Sequence, residues 1–347
     1  LIAKLRELLE YLERAAFRGG VWPAVLGLAL SLAGIAGGAA TDAPRAEVIR
    51  GAIALPEVSG GAFIRGNRLA LVSDNGNGVA ILQNGLARLR SGKVIPEPEE
   101  LLAKSLQGQV ELDDLEDAAW DGARDLFAVT SHSRTRLGDA PESRFRLARF
   151  RFDATGKLLE ARHSDGLLQA IVNNVPFLAD SIRRTPARAG HNIEGLAWDP
   201  RGQLLLGFRA PTVRESRRRE DGGQEDAVVV WLQNPDALFS GEPAQLGDVV
   251  KLDLHGGGIR GMAYDPRLKA YWLLSGLSVD PNHDVKSPWH LWLWKGDEPP
   301  REMKLPPDLG LEQPETVTPV ELDGKPYLLL IDDGIPNSPY ALVPAPE

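Results

Sequence analysis

The sequence predicts an all-β domain built as a ring of similar units, and three observations lead there. One hairpin recurs five times, each hairpin is followed by further strand material, and the last unit lacks a strand that the N-terminal region can supply. The clearest copy runs from Glu194 to Asp199, turns through Pro200-Arg201-Gly202-Gln203, and returns as the apolar strand Leu204–Arg209. Alternation bounded by a Pro/Gly turn is the mark of a β-hairpin. If Asp199 pairs with Leu204, Glu194 lies opposite Arg209 at the open end. The other copies start near residues 60, 116, 260 and 315. This spacing is that of propeller blades with loops of variable length. The expected fold is therefore a five-bladed β-propeller of four-stranded blades, closed by an N-terminal strand and carrying a short helical insertion.

Each unit can be justified in turn. The first hairpin, Ser59–Ile64 with Leu69–Asp74, is followed by strand candidates Gly78–Gln83 and Leu86–Val94. The second, Leu115–Asp121 with Leu126–His132, continues into Phe145–Asp153 and Lys157–Arg162 around an Ala-Thr-Gly turn. Its Arg/Phe alternation reads as a strand with one wet face. Residues Asp165–Ile182 break the β pattern. Leu167, Leu168, Ile171, Val172, Val175 and Leu178 predict a short helix interrupted at Pro176, packed against one side of the ring. The third unit adds Val228–Leu232 and Val249–Leu254, after a charged loop over Glu215–Asp226 that is expected to be solvated. The fourth, Ile259–Asp265 with Tyr271–Ser275, adds Leu291–Trp294 and Glu302–Leu305. The fifth, Pro314–Val320 with Tyr327–Asp332, has only Tyr340–Val343 left, so Glu47–Ile53 is expected to complete it. Closure of this kind removes the unpaired edges of an open sheet.

Ahead of the ring, Arg18 precedes an apolar run over Val21–Ala36, and Gly38-Ala39-Ala40 offers a small-residue cleavage site. Residues 1–41 thus read as a signal peptide and leader, with the propeller over 42–347 and a periplasmic or secreted location. The membrane would be met only through this leader if it stays uncleaved. A net charge of −9 argues against a nucleic-acid surface, and with no Cys there are neither disulfides nor thiolate metal sites. Gly256–Gly261 fits GxGxxG, but a strand follows it, so the dinucleotide reading fails. No phosphate loop, nucleophile elbow or paired-His metal spacing is present.

The informative positions are those equivalent across the repeats. The first strand of a blade lines the central channel, so the hairpins bring their starts and ends to one face. The starts give Ser59 (or Gly60), Glu116, Glu194, Arg260 and Glu315; the ends give Asp74, His132, Arg209, Ser275 and Asp332. Ser59, Glu116, Glu194 and Glu315 form a candidate metal set, since oxygen ligands suit a hard cation such as Ca²⁺. Arg209, Arg260 and Ser275 are candidate contacts for an anionic group, and His132, Asp74 and Asp332 candidate acid–base residues. A web of Glu–Arg pairs that plugs the channel is the other reading of the same residues.

The segments IEGLAWDPRGQLLLGFRAP, LEDAAWDGARDLFAVTSHS and GIRGMAYDP resemble the bacterial domain of unknown function family 3616, a likeness covering most of Ser59–Asp333. A more distant resemblance is to the calcium-activated nucleotidases of the apyrase type, whose five blades begin Ser, Glu, Glu, Ser, Glu around a central cation. Here the order is Ser59, Glu116, Glu194, Arg260, Glu315, and Asp74-Asn75-Gly76 is similar to their acidic turn. That resemblance implies a Ca²⁺-dependent phosphoesterase, with Arg260 standing where a neutral ligand is expected. Two functional classes follow: an exported hydrolase acting on phosphate esters, or a non-catalytic propeller that binds a small anionic ligand or a protein on the same face. A monomer is expected. N-terminal sequencing of protein from its native source should begin near Thr41. A mature chain starting upstream of Val21 would instead mark a retained anchor.

Overall fold

The computed structural model describes residues 47–74, 78–98, 100–102, 111–214, 225–279 and 288–346. The leader, Asn75-Gly76 and most of the charged Glu215–Asp226 loop lie outside these residues. Among the described residues, no helix is long and apolar enough to cross a membrane.

The chain enters through β1 (Ile49–Ile53) and builds blade 1 from β2 (Val58–Ile64), β3 (Arg68–Ser73) and β4 (Ala80–Leu82). Helix α1 (Gly85–Arg90) and β5 (Val94–Ile95) come next, before β6 (Glu100–Leu101) ends the blade. Blade 2 is β7 (Leu115–Trp120), β8 (Asp125–Thr130), β9 (Leu147–Phe152) and β10 (Leu158–Ser164), followed by α2 (Gly166–Asn174) and α3 (Pro176–Ala179). Blade 3 is β11 (Asn192–Asp199), β12 (Gln203–Val213) and β13 (Asp226–Leu232), then α4 (Pro235–Leu238) and β14 (Leu246–Leu252). Blade 4 is β15 (Gly258–Asp265), β16 (Ala270–Gly276), β17 (His290–Trp294) and β18 (Arg301–Met303). Blade 5 is β19 (Pro314–Leu322), β20 (Lys325–Asp332), β21 (Ser338–Pro344) and the returning β1.

The protein is a five-bladed β-propeller. Neighbouring inner strands touch in the closed cycle β2–β7–β11–β15–β19–β2. The expected closure is observed: β1 pairs antiparallel with β21, Ile49 facing Leu342 and Ile53 facing Ser338. The Ser338 hydroxyl adds a lock, donating to the Leu55 carbonyl at 2.8 Å and accepting from the Val58 amide at 3.0 Å.

Two expectations are corrected. Residues 86–94 do not form a strand; Leu-Ala-Arg-Leu-Arg is a run of strong helix formers, and α1 buries Leu89 on one face. Blade 1 therefore finishes with β6, two residues long, while β5 adds in parallel to β1 at the rim of blade 5. The hairpin register also differs, because Asp199 pairs with Gln203 and Trp198 with Leu204. The helical insertion is as expected and is packed: Leu167, Ile171, Val175 and Leu178 join Phe127, Leu206 and Phe208 in the core between blades 2 and 3. The Arg-rich strand of blade 2 is a row of ion pairs, with Arg151 gripping Asp125 through Nε (2.7 Å) and Nη2 (2.8 Å) and Arg149 on Glu160 (2.8 Å).

The repeat's Trp-Asp and Tyr-Asp pairs explain the turns. Asp199 accepts the Arg201 amide (2.7 Å), Asp265 the Arg267 amide (2.9 Å) and Asp121 the amides of Ala123 and Arg124 (both 2.7 Å). Carboxylates that bond their own backbone two or three residues on fold these turns locally.

At the axis the inner strands come so close that side chains barely fit. A methyl group at Gly261 would run into the Glu315 carbonyl, and one at Gly60 into the backbone of Asp117. The residue that ties these strands is Asp117, which is 3% exposed. Its Oδ1 accepts the Ala118 amide (2.7 Å), and its Oδ2 accepts those of Leu196 (2.7 Å) and Met262 (3.4 Å). The Gly61 amide is a fourth donor, so blades 1 to 4 all hydrogen-bond to one carboxylate. Burial pushes the Asp117 pKa well up, and the four amides pull it back. Asp117→Ala would strand buried amides on several strands at once. Since each unmet buried donor costs about 1–3 kcal/mol, urea denaturation is expected to show a loss of roughly 3 kcal/mol or more. A loss below about 1 kcal/mol would mean that water or a shifted strand replaces the carboxylate.

Candidate functional site at the mouth of the central channel

Every inner strand carries a β-bulge at its start, and in every blade the bulged residue is the repeat position singled out from the sequence. Val58 pairs with Ser73 and Gly60 with Val72, leaving Ser59 unpaired. The same skip leaves out Glu116 between Leu115 and Asp117, and Glu194 between Ile193 and Gly195. Arg260 and Glu315 are skipped in blades 4 and 5. A bulge re-aims one side chain without disturbing the alternation on either side. Five bulges at one level thus gather Ser59, Glu116, Glu194, Arg260 and Glu315, all at most 8% exposed.

Arg260 occupies the centre of this group. Its Nε lies 3.2 Å from Glu194 Oε2, and its Nη2 makes a short ion pair with Glu315 Oε1. Glu194 Oε1 accepts from Arg209 Nη1 (2.8 Å) and Asn192 Nδ2 (2.7 Å). Glu194 and Glu315 therefore have guanidinium partners, so two of the candidate set Ser59, Glu116, Glu194 and Glu315 are engaged by Arg260. Ser59 donates to the Leu115 carbonyl at 2.5 Å, and its side chain is also hydrogen-bonded to Asp74. Burial, and then the nearby Arg209, hold the Arg260 pKa down, while Glu194 opposes them.

The other side of the mouth is different. Glu116 is 5% exposed, and Arg209 is the cation whose charge acts on it. Burial, followed by the charges of Asp74, Glu194 and Asp114, pushes its pKa well above the usual range. Asp74 is shifted the same way by burial and then by Asp114, Asp333 and Glu194, and its Oδ1 is buried without a hydrogen-bond partner. Asp114 is held by Arg144, which also reaches Ser133 Oγ at 3.0 Å. Among the described residues, Asp74, Asp114, Glu116, Glu194, Glu315 and Asp333 thus gather near the guanidiniums of Arg144, Arg209 and Arg260. Partly desolvated like charges repel strongly, and this side needs a proton or a cation to balance it.

Of the hairpin-end residues, the structure brings Asp74 and Arg209 to the mouth and leaves the other three out. His132 is wholly buried with φ 54°; its Nδ1 lies 2.9 Å from the Thr130 carbonyl, and burial lowers its pKa to about 4. Ser275 is also fully buried and accepts from Trp292 Nε1 at 2.8 Å. Asp332 accepts the amides of Glu312 (3.0 Å) and Gln313 (2.5 Å), a loop-holding role. The reason is register. Ser73, Thr130, Phe208, Ser275 and Asp332 are the positions paired with the residue before each bulge. The residues one step further on are Asp74, Ser131, Arg209, Gly276 and Asp333. Asp333, which the sequence reading missed, is the equivalent of Asp74 and acts on its charge.

At the far end of the channel, the same inner strands form a basin of about 470 Å³ lined by Phe63, Trp120, Trp198, Tyr264 and Pro319. Its wall is apolar where the first mouth is ionic.

No family model matches the sequence, and no curated protein does. Solved structures are similar at low identity. The Malassezia sympodialis allergen Mala s 1 is 10% identical with a TM-score of 0.45, over 86% of this chain and 96% of its own. The PQQ-bound aldose sugar dehydrogenase of Streptomyces coelicolor is 13% identical with a TM-score of 0.36, over 87% and 99%. The Cps50 (Swd1) β-propeller domain of Myceliophteria thermophila is 11% identical with a TM-score of 0.34, over 84% and 98%.

A titration prediction follows for metal-free protein. Glu116 has a folded pKa raised above its unfolded value, so the native state holds its proton to higher pH. Its contribution to stability is full below the unfolded pKa and is lost as pH rises toward the folded one. Glu116→Gln removes that loss. Urea melts in EDTA should show the variant gaining on the wild type as pH rises from about 4 to 8. A constant difference across the range would mean that Glu116 does not titrate there.

Proposed function

We propose that the ionic mouth binds a divalent cation, Ca²⁺, together with a small anionic ligand, and that its reaction class is metal-dependent hydrolysis of phosphate esters. The observation that carries this reading is the unbalanced pair Asp74 and Glu116. Both are acidic side chains drawn into the mouth; Asp74 Oδ1 is buried without a hydrogen-bond partner among the described residues, and burial and neighbouring carboxylates push both pKa values up. Hard cations take carboxylate oxygens. Asp74 and Glu116 would hold the ion, with Asp333 near Asp74, while Arg260 stands in for a cation toward Glu194 and Glu315. When bound, the ion would polarise a phosphoryl oxygen and favour attack by water.

The chain's own residues have separable tasks. Glu194 fixes Arg209 and Arg260 in place, so two guanidiniums are oriented before any ligand arrives. Asp74 and Glu116, whose pKa values are raised by burial and neighbouring carboxylates, are suited to hold a proton more firmly than ordinary carboxylates. The resemblance to apyrase-type propellers supports the same reaction class. With the leader removed, the protein would work in the periplasm or outside the cell.

Thermal melts with Ca²⁺ and with EGTA test the reading, alongside turnover of a generic phosphate ester. The wild-type midpoint should rise with Ca²⁺ by mass action and fall with chelator, and Glu116→Gln should abolish the response. Arg260→Ser, which releases Glu315 and Glu194 Oε2, should show a larger Ca²⁺ shift than the wild type. A wild type indifferent to Ca²⁺ would overturn the cation. Ca²⁺ binding without turnover would leave the mouth a ligand site and remove the hydrolase.

A further inference from the structure

Blade 4 carries a second group of ligating side chains, far in sequence from the mouth residues of blades 1 to 3 and drawn from three separate segments. His255 lies in the loop that leads from β14 into β15, His290 opens β17, and Glu302 is the middle residue of β18. One ligand atom from each, an imidazole nitrogen or a carboxylate oxygen, lies within 4.8 Å of the others. Glu302 stands between the two rings. Its Oε1 is 2.7 Å from His290 Nδ1, and its Oε2 is 3.8 Å from His255 Nδ1.

The backbone dictates this convergence. Trp292 pairs directly with Glu302 across β17 and β18, and His290 precedes Trp292 by two residues. Side chains two apart on a strand share a face, so His290, Trp292 and Glu302 project together. The loop brings His255 over the same face with a left-handed backbone, φ 56°, its amide donating to Asp253 Oδ1 at 3.2 Å. His255 meets Trp292 edge-on, with ring centres 4.8 Å apart at 75°, and His290 at 5.7 Å and 84°. Trp292 is 3% exposed and its Nε1 is fixed on Ser275 Oγ, so the support beneath both imidazoles is rigid. The ligands themselves are open to solvent, His290 half-buried and the other two exposed.

Surface His–Glu pairs add little to stability, so packing does not account for three such groups on one supported spot. Their chemistry does suggest a role. Two imidazole nitrogens and one carboxylate oxygen make a donor set for late first-row divalent ions and a poor one for Ca²⁺. Around zinc, ligand atoms stand about 3.3 Å apart, which exposed side chains reach from the present spread by small rotations. We propose that His255, His290 and Glu302 bind a divalent transition metal, with Zn²⁺ as the fitting ion and water in its remaining position. Bound there, the ion clips the link between blades 3 and 4 to β18, a three-residue edge strand that otherwise has pairing on one side only. This site is independent of the reading of the channel mouth.

The test uses the full chain stripped with EDTA and dialysed free of it. Zn²⁺ titrated by calorimetry should bind at one ion per chain at this site, and Co²⁺ should give a visible ligand-field spectrum. His255→Ala and His290→Ala should each weaken Zn²⁺ binding by about tenfold or more, and the double variant should lose the Co²⁺ bands. Metal-free melts of the variants should coincide with the wild type, because all three side chains lie at the surface. If an alanine variant fails to fold, the near-isosteric Glu302→Gln carries the test and should show the same loss. No Zn²⁺ binding by the wild type would overturn the proposal. So would unchanged affinity and Co²⁺ spectrum in the double variant or in Glu302→Gln.

Discussion

Closing five sheets around an axis forces their inner strands closer than ordinary side chains allow, and this crowding governs the rest of the molecule. It selects glycine where strand meets strand, as at Gly60 and Gly261. It also leaves room at the centre for one polar side chain that can satisfy amides from several strands at once. Asp117 is that side chain, with donors from four blades. A buried carboxylate is costly by itself and tolerable only when fully hydrogen-bonded. Here the fully bonded state exists only in the assembled ring, so the axis and the blades specify each other.

The channel mouth is a second product of the same crowding. Strands that converge this tightly cannot send five large side chains inward from their regular ladders. A bulge at the start of each strand solves the problem, because it lifts one residue out of the ladder. Charge then divides the mouth. On the side of blades 3 to 5, Arg260 and Arg209 balance Glu194 and Glu315. On the side of blades 1 and 2, burial and neighbouring carboxylates push the pKa values of Asp74 and Glu116 up.

The sequence carried the fold through its repeats, and it carried the bulged residues because Glu116, Glu194, Arg260 and Glu315 interrupt apolar strands at equivalent places. It could not reveal the bulges themselves, since a bulge is a property of pairing between two strands. Counting without it moved the hairpin ends by a residue in blades 2, 4 and 5. His132, Ser275 and Asp332 were therefore assigned to the mouth in place of neighbours such as Asp333. Asp117 was hidden for another reason. It follows Glu116 directly, and one acidic residue beside another gives no sign that the two point to different ends of one problem. Helix α1 is ambiguous in the sequence because Leu86–Val94 is short enough for either period, and the burial of Leu89 on the helix decides between them.

The pairing of β1 with β21 joins residues separated by nearly 290 positions, the longest-range strand contact in the ring. Each hairpin is local and can form early, whereas this contact must wait until both distant segments are available and must bear the entropy of closing a very long loop. Until then the growing array is an open arc, with the free edge of β21 presented to solvent. Ring closure is thus the step that covers the β21 edge. The longer the two segments take to meet, the longer that edge stays available to pair with another chain.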